Sequence, residues 1–431
     1  MNLLNTVKKV LLAGTFFTIL FFAGSGCTPH DNTQNETSEH LIDVLDIWEF
    51  KTGFAFDIIL SLIGDFGGAL SAEVKEKITT ALDKKLSEVI CGVAISYNTI
   101  DPFGNPVVAT GVFFYPKNLK VRGVLEIPPI ANMEKSDVAS LNIKDKQLAL
   151  ESMPCMMGYI TLNPDFIGVR YTEDWPRPYL LAENSGLAAY HFRKAVAEYL
   201  LQKEQYRMPN RSILIGYSLG GSTSLAIAAY YERNNTGIKI DQIHTGGGIY
   251  DGLVAFDTYR RTERSEYQAI PQVIMAMNHY YNLNLDFTKI FINGMENSEM
   301  NPNPEEGGDG YAWWFSGHQN VNAIDRRWGR DLRAYMHPDF FNEEYTGEFL
   351  KLKEPLERNS IVYNNWKPGP FTEVYLTHSK EDNFIPVEGA DLLYEKYKKN
   401  GCSIHYNRTT GSHNDGALEF ILSGLLYLLV R

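Results

Sequence analysis

The chain has 431 residues, 44% of them hydrophobic and 21% charged, an ordinary globular composition. That length suits one large domain with an insertion, or two domains. Its 52 acidic residues outnumber the 40 basic ones, for a net charge of −12, which argues against nucleic acid and anionic membrane surfaces as partners.

Lys8 and Lys9 precede an apolar run over residues 10–23, the layout of a signal peptide and too short for a membrane span. Gly24, Ser25 and Gly26 then lead to Cys27. Residues 1–26 therefore read as a signal peptide, with Cys27 as a lipidation site that anchors the protein to a membrane. Plain secretion after cleavage near Ser25 is the alternative. Either route exports the protein: to the cell envelope as an outer-membrane lipoprotein, or otherwise to the periplasm or the medium. Residues 27–40 are polar and read as a flexible tether. Cys27, Cys91, Cys155 and Cys402 are the only cysteines, and their spacing fits no zinc site. With Cys27 lipidated, the other three allow one disulfide and one free thiol.

Residues 41–90 read mostly as helix. Val74, Ile78, Ala81, Leu82 and Leu86 share one face there, after a start at Ser71. From Gly92 the period changes to two. Residues 93–97 and 107–114 flank Asp101-Pro102-Phe103-Gly104-Asn105-Pro106, which predicts a hairpin. A strand over 121–127 runs into Pro128-Pro129-Ile130. A helix is expected over 143–155, a strand over 159–162 and a helix over 185–203. Strands over 211–215 and 240–245 bracket a helix that starts after Gly221.

Residues 251–367 break this alternation and read as an inserted cap. Tyr311, Trp313, Trp314, Phe315 and Trp328 lie in it, and they read as packing in preference to a sugar or acyl platform. The acidic stretch 296–309 lacks the spaced ligands and central Gly of a calcium loop. Strands over 372–377 and 403–407 and helices over 387–399 and 415–429 close the chain. The expected fold is α/β: a mostly parallel sheet with a leading antiparallel hairpin. Residues 41–250 and 368–431 form its core, N-terminal helices included.

Gly216-Tyr217-Ser218-Leu219-Gly220-Gly221 falls between a strand and a helix. Gly-x-Ser-x-Gly in that setting is a nucleophile elbow: a sharp turn lifts the Ser hydroxyl above the sheet, and the glycines make room for the crossing backbone. A Ser hydroxyl needs a base, and the base needs an orienting acid. Asp382 follows a strand and precedes Ile385-Pro386, where the acid belongs, with Glu381 as its rival. His413 lies in the last strand-to-helix loop, where the base belongs. His191, His244, His378 and His405 fit worse, and His378 precedes the acid in the chain. The Leu219 N–H is one oxyanion donor. Pro128 and Pro129 have no N–H, so the second donor falls at or just after Ile130.

Asn163-Pro164-Asp165-Phe166-Ile167-Gly168, Pro178-Tyr179-Leu180, the elbow, Asp382-x-x-Ile385-Pro386 and Gly411-Ser412-His413 together resemble the secretory lipase branch of the α/β-hydrolases. That branch includes fungal lipase A-type enzymes and bacterial esterase relatives. The resemblance spans residues 92–431 and is weakest through the cap. It implies a Ser218, Asp382, His413 triad, no metal or cofactor, and a cap that shapes the acyl pocket. The expected substrate is a small-molecule ester, or an esterified lipid or glycan. Two other readings stand beside the esterase: a serine peptidase on the same fold, and an inactive ligand-binding surface lipoprotein. The peptidase reading lacks a repeat-built domain ahead of the sheet.

Overall fold

Two-residue periodicity builds the sheet on which everything else is mounted. The computed structural model describes residues 39–430, except 54–87, 132–133, 146–147, 149–150, 266–268, 299–309 and 318. Nine strands form one sheet: β1 (Leu41–Lys51), β2 (Val89–Ile100), β3 (Pro106–Pro116), β4 (Gly123–Glu126), β5 (Tyr159–Phe166), β6 (Arg211–Tyr217), β7 (Lys239–Gly246), β8 (Glu373–Ser379) and β9 (Ser403–Thr409). Their order is β1-β2-β3-β5-β4-β6-β7-β8-β9. The β1–β2, β2–β3 and β3–β5 pairs are antiparallel, and all pairs from β5 to β9 are parallel. The leading hairpin, β2 and β3, is thus present as expected.

Helices α1 (Ala182–Glu204) and α2 (Leu219–Arg233) connect the central strands. Between β7 and β8 lie α3 (Gly252–Thr262), α4 (Ala269–Tyr280), α5 (Val321–Trp328) and α6 (Gly347–Asn359). Helices α7 (Glu388–Lys399) and α8 (His413–Val430) complete the chain. No helix among the described residues is long and apolar enough to cross a membrane. The aromatic residues of the insertion pack: Phe315 and Trp328 are buried, and Tyr311 stacks on Phe287 at 4.0 Å between ring centres. Cys91, Cys155 and Cys402 are free thiols, so the disulfide that the cysteine count allowed does not form among the described residues.

The expected N-terminal helix is corrected in part. Residues 41–51 are strand β1, paired antiparallel to β2. The reason is two register shifts, between Leu41 and Asp43 and between Val44 and Asp46. Each inserts a residue and resets the alternation. The inward-leaning Leu41, Val44, Leu45 and Trp48 are then spaced three, four and seven apart, which mimics a helix face. The predicted face from Val74 to Leu86 lies outside the described residues, as does Cys27.

The ground around β5 differs in part from expectation. Of the expected 143–155 helix, residues 143–145 form turns, Leu148 and Glu151 are helical with the Ser152 N–H donating to the Leu148 carbonyl at 2.9 Å, and Met153–Met157 is a short 3-10 segment with Pro154 in its first turn. Strand β5 runs through Asn163, Pro164 and Asp165 to Phe166, four residues further than expected. Pro164 sits opposite Gly111, where the pairing slips by one residue.

One buried carboxylate locks four elements together. Glu126, at the end of β4, is 2% exposed. It accepts from Arg193 of α1 at 2.8 Å, Ser212 of β6 at 2.6 Å and Tyr231 of α2 at 2.6 Å. Arg193 also donates to the Pro209 carbonyl at 2.6 Å, so both charges are paired and hydrogen-bonded. Replacing Arg193 by Met leaves a buried, unpaired carboxylate. Urea unfolding should show a loss of about 3–5 kcal/mol in Arg193→Met. A loss under about 1 kcal/mol would mean that the carboxylate is satisfied without its cation.

Candidate active site

The elbow begins with a steric requirement. Ser218 joins β6 to α2 with φ +56° and ψ −126°, a conformation that costs an ordinary residue about 1–3 kcal/mol. It is held by hydrogen bonds: the Ser218 N–H donates to the Gly246 carbonyl, and the Gly221 N–H to the Ser218 carbonyl, each at 2.9 Å. A Cβ on Gly216 would overlap the Gly220 carbonyl, and one on Gly221 would come 2.5 Å from the Gly246 carbonyl. The strand-to-helix crossing therefore demands glycine at both positions. Gly220 has a different reason. Its Cβ would sit 2.6 Å from the Pro128 carbonyl, so the loop after β4 lies directly over the first turn of α2.

Asp382 and His413 meet from separate loops. His413 Nδ1 is 2.7 Å from Asp382 Oδ2. The carboxylate only accepts, so Nδ1 carries the proton, and Nε2 is the ring nitrogen left for other chemistry. Asp382 Oδ1 accepts from the Phe384 and Ile385 N–H groups at 2.8 and 2.7 Å. The Phe384 ring stacks on the imidazole at 5.0 Å, and its carbonyl accepts from Tyr259 of α3 at 2.7 Å. Burial works against the Asp382 charge. Hydrogen bonds from His378 and His413 and the Ile385 N–H outweigh it and hold the carboxyl well below the usual range.

Tyr217 ties this pair to the elbow. Its hydroxyl donates to the His413 carbonyl at 2.6 Å, and its ring lies 5.0 Å from the imidazole. Burial pushes the Tyr217 phenol up, so it stays a donor. Ser218 and His413 are thereby brought to the same rim, 8% and 9% exposed. Among the described residues no hydrogen bond joins the Ser218 hydroxyl to the His413 ring.

The remaining candidates fall as follows. Leu219 is the first residue of α2, where N–H groups have no partner within the helix. Ile130 is 41% exposed and lines a cleft of about 580 Å³, measured with its open mouth, together with Pro129, Asn163 and Asp165. Glu381, the rival acid, accepts from the Gly411 N–H at 2.9 Å instead. His244 lies 3.2 Å from Gln242, and His191 lies 3.0 Å from Thr99, both away from the elbow. Sequence reasoning missed Tyr217 and Phe384, and it set His378 aside as a base without giving it another part. The signal for His378 was present: it stands four residues before Asp382 in a strand that is otherwise buried.

The Asp382 shift fixes the sign of a pH effect. Its folded-state pKa lies below the unfolded one, so its contribution is complete above about pH 4. That contribution is lost as pH falls toward the folded value. Asp382→Asn should therefore be less stable than wild type at pH 7 by about 2 kcal/mol. The gap should narrow between pH 4 and pH 3, read by urea titration. A gap independent of pH would show that the carboxylate charge is not what matters.

No protein-family model matches the sequence, and no curated protein matches it. Solved structures do match. A hydrolase candidate from Legionella pneumophila superposes with TM-score 0.69 at 18% identity, over 90% of this chain and 97% of its own. A ligand-bound form of the rice cell wall degrading esterase LipA from Xanthomonas oryzae gives 0.69 at 18% identity, over 91% and 97%. Lipase A from Candida antarctica gives 0.53 at 11% identity, over 77% and 74%. The chain has the α/β-hydrolase fold, and its likeness to a lipase A holds at the level of that fold.

Proposed function

We propose that this protein is an exported serine hydrolase that cleaves carboxylic esters. The observation that carries the reading is the 2.7 Å Asp382–His413 contact, presented beside a Ser held at φ +56° on a glycine-flanked elbow. The structural neighbours described as an esterase and a lipase support the same class of reaction.

The chemistry proceeds from those groups. His413 Nε2 takes the Ser218 proton as Oγ attacks the ester carbonyl. Asp382 stabilises the imidazolium without itself taking the proton. The Leu219 N–H and a second donor at Ile130 receive the oxyanion. The intermediate collapses as Nε2 passes its proton to the departing alcohol, leaving an acyl-serine. Water, deprotonated by the same imidazole, then attacks the acyl-serine, and Nε2 returns that proton to Ser218 Oγ as the acid departs. The insertion between β7 and β8 acts as a cap over the acyl side.

Ser218→Ala should lower kcat on a p-nitrophenyl ester by at least about 10⁴-fold and abolish fluorophosphonate labelling, with circular dichroism unchanged. Retained turnover would refute the nucleophile. Labelling without ester turnover would favour a different acyl donor, which matched peptide amides would test for the peptidase reading. A wild-type protein inert to both reagents would favour the ligand-binding lipoprotein.

Export through Cys27 is part of this proposal. Cys27→Ala should lose incorporation of labelled palmitate and move from the membrane fraction to the soluble one. Unchanged membrane fractionation would show that something other than a lipid on Cys27 holds the protein there.

A further inference from the structure

We propose that His378 is a positioning residue for the reaction: it supplies the last hydrogen bond that fixes the Asp382 carboxylate toward His413. The proposal rests on the ester-hydrolase reading above.

His378 is fully buried on β8. Its Nε2 lies 3.0 Å from the Ile385 carbonyl and 3.3 Å from Asp382 Oδ2. Both neighbours are acceptors, so Nε2 carries the proton and shares it between them. Its Nδ1 has no partner and is shielded from solvent. A buried, unpartnered N–H costs more than an unpartnered ring lone pair whose other nitrogen is satisfied. The Nε2 proton is therefore spent on the acid loop, and Nδ1 is the side left without a partner.

The count of donors gives this contact its meaning. Asp382 is itself fully buried, its side chain 0% exposed. Oδ1 takes the Phe384 and Ile385 N–H groups, and Oδ2 takes His413 and His378. Four donors from four different groups leave the carboxylate no freedom to rotate. The same His378 proton reaches Ile385, whose N–H holds the opposite oxygen. The ring thus closes the 382–385 turn on both sides. Without it, the edge of Asp382 that faces His413 is held by His413 alone.

The consequence is electronic as well as geometric. Two donors on Oδ2 share its charge. Removing His378 concentrates that charge on the His413 Nδ1 proton and favours the protonated imidazole. Other ionisable groups face this spot. Tyr250 meets the His378 ring edge-on at 6.4 Å, and burial pushes its phenol up. Tyr217 and Tyr259, also pushed up by burial, lie within electrostatic range of Asp382. All three hydroxyls are engaged elsewhere, Tyr250 with Thr245 and Tyr217 and Tyr259 with the His413 and Phe384 carbonyls, so none replaces the lost donor.

The test compares His378→Leu with His378→Gln, whose amide N–H₂ can still donate. In His378→Leu the acid limb of kcat/KM for a p-nitrophenyl ester should move to higher pH by about half a unit or more. Its kcat should fall about tenfold or more, while KM changes less. His378→Gln should return the limb toward wild type. A residue that merely packs would lower kcat/KM equally at every pH, because only the folded fraction changes. A limb that stays in place while activity drops uniformly therefore overturns the proposal. So does a His378→Gln profile that matches His378→Leu. The NMR signal of the His413 Nδ1 proton gives a second reading that needs no turnover. It should shift in His378→Leu and return in His378→Gln. If the protein hydrolyses no ester, this signal still decides the role of His378, and the two failures stay distinct.

Discussion

The carboxylate of Glu126 is the fixed point of the molecule. Strand β4 is only four residues long and lies between β5 and β6 at the middle of the sheet. Arg193, Ser212 and Tyr231 converge on its last residue from α1, β6 and α2. The loop that begins two residues later therefore leaves the sheet from a clamped origin. That loop is the one whose Pro128 carbonyl presses on Gly220. A shift at Glu126 would be felt at once by the first turn of α2 and by the strained Ser218 that precedes it. Packed interiors transmit such shifts because they have little free volume. The buried ion pair is weak evidence for stability by itself. Its position, where four elements meet under the elbow, is what matters.

A second assembly carries Asp382 and His413. Asp382, Phe384, Ile385, His378 and His413 belong to β8, its following loop and the start of α8, and each touches at least one of the others. The insertion joins this group through Tyr259 and the Phe384 carbonyl. Loop residues are placed here by hydrogen bonds, whereas the elbow is placed by steric exclusion. The difference explains which parts each side tolerates. A glycine at 216 or 221 can be nothing else, while the acid loop depends on donors that several side chain types can supply.

The same difference decides what can be read in the amino-acid order. Gly216 and Gly221 announce themselves because a steric demand leaves one residue type, and Ser218 is read from its place between them. Asp382 and His413 follow from the order in which this fold presents its loops. His378 does not, since its partner is defined by a turn that only closes in three dimensions. Strand β1 was hidden by its two register shifts, which spaced its inward residues like a helix. Strand β5 was cut short because Asn163-Pro164-Asp165 looks like a turn. A slipped pairing opposite Gly111 lets the chain run straight through it. The Glu126–Arg193 pair left only a faint trace, a charged residue in an apolar strand and another on a buried helix face.

Ser218 and His413 sit where the two assemblies meet. Ser218 belongs to the sheet core through Glu126 and the Pro128 loop, and His413 belongs to the Asp382 loop and, through Tyr259, to the insertion. Tyr217 is the bridge between them, one residue from Ser218 and bonded to the His413 backbone. It fixes how near the imidazole lies without fixing the last hydrogen bond, which depends on the Ser218 and His413 side chains themselves. Catalytic hydrogen bonds often tighten only when substrate is bound. Tightening of that kind acts across the seam between the two assemblies. The Asp382 end of the dyad, held by four donors, stays where it is.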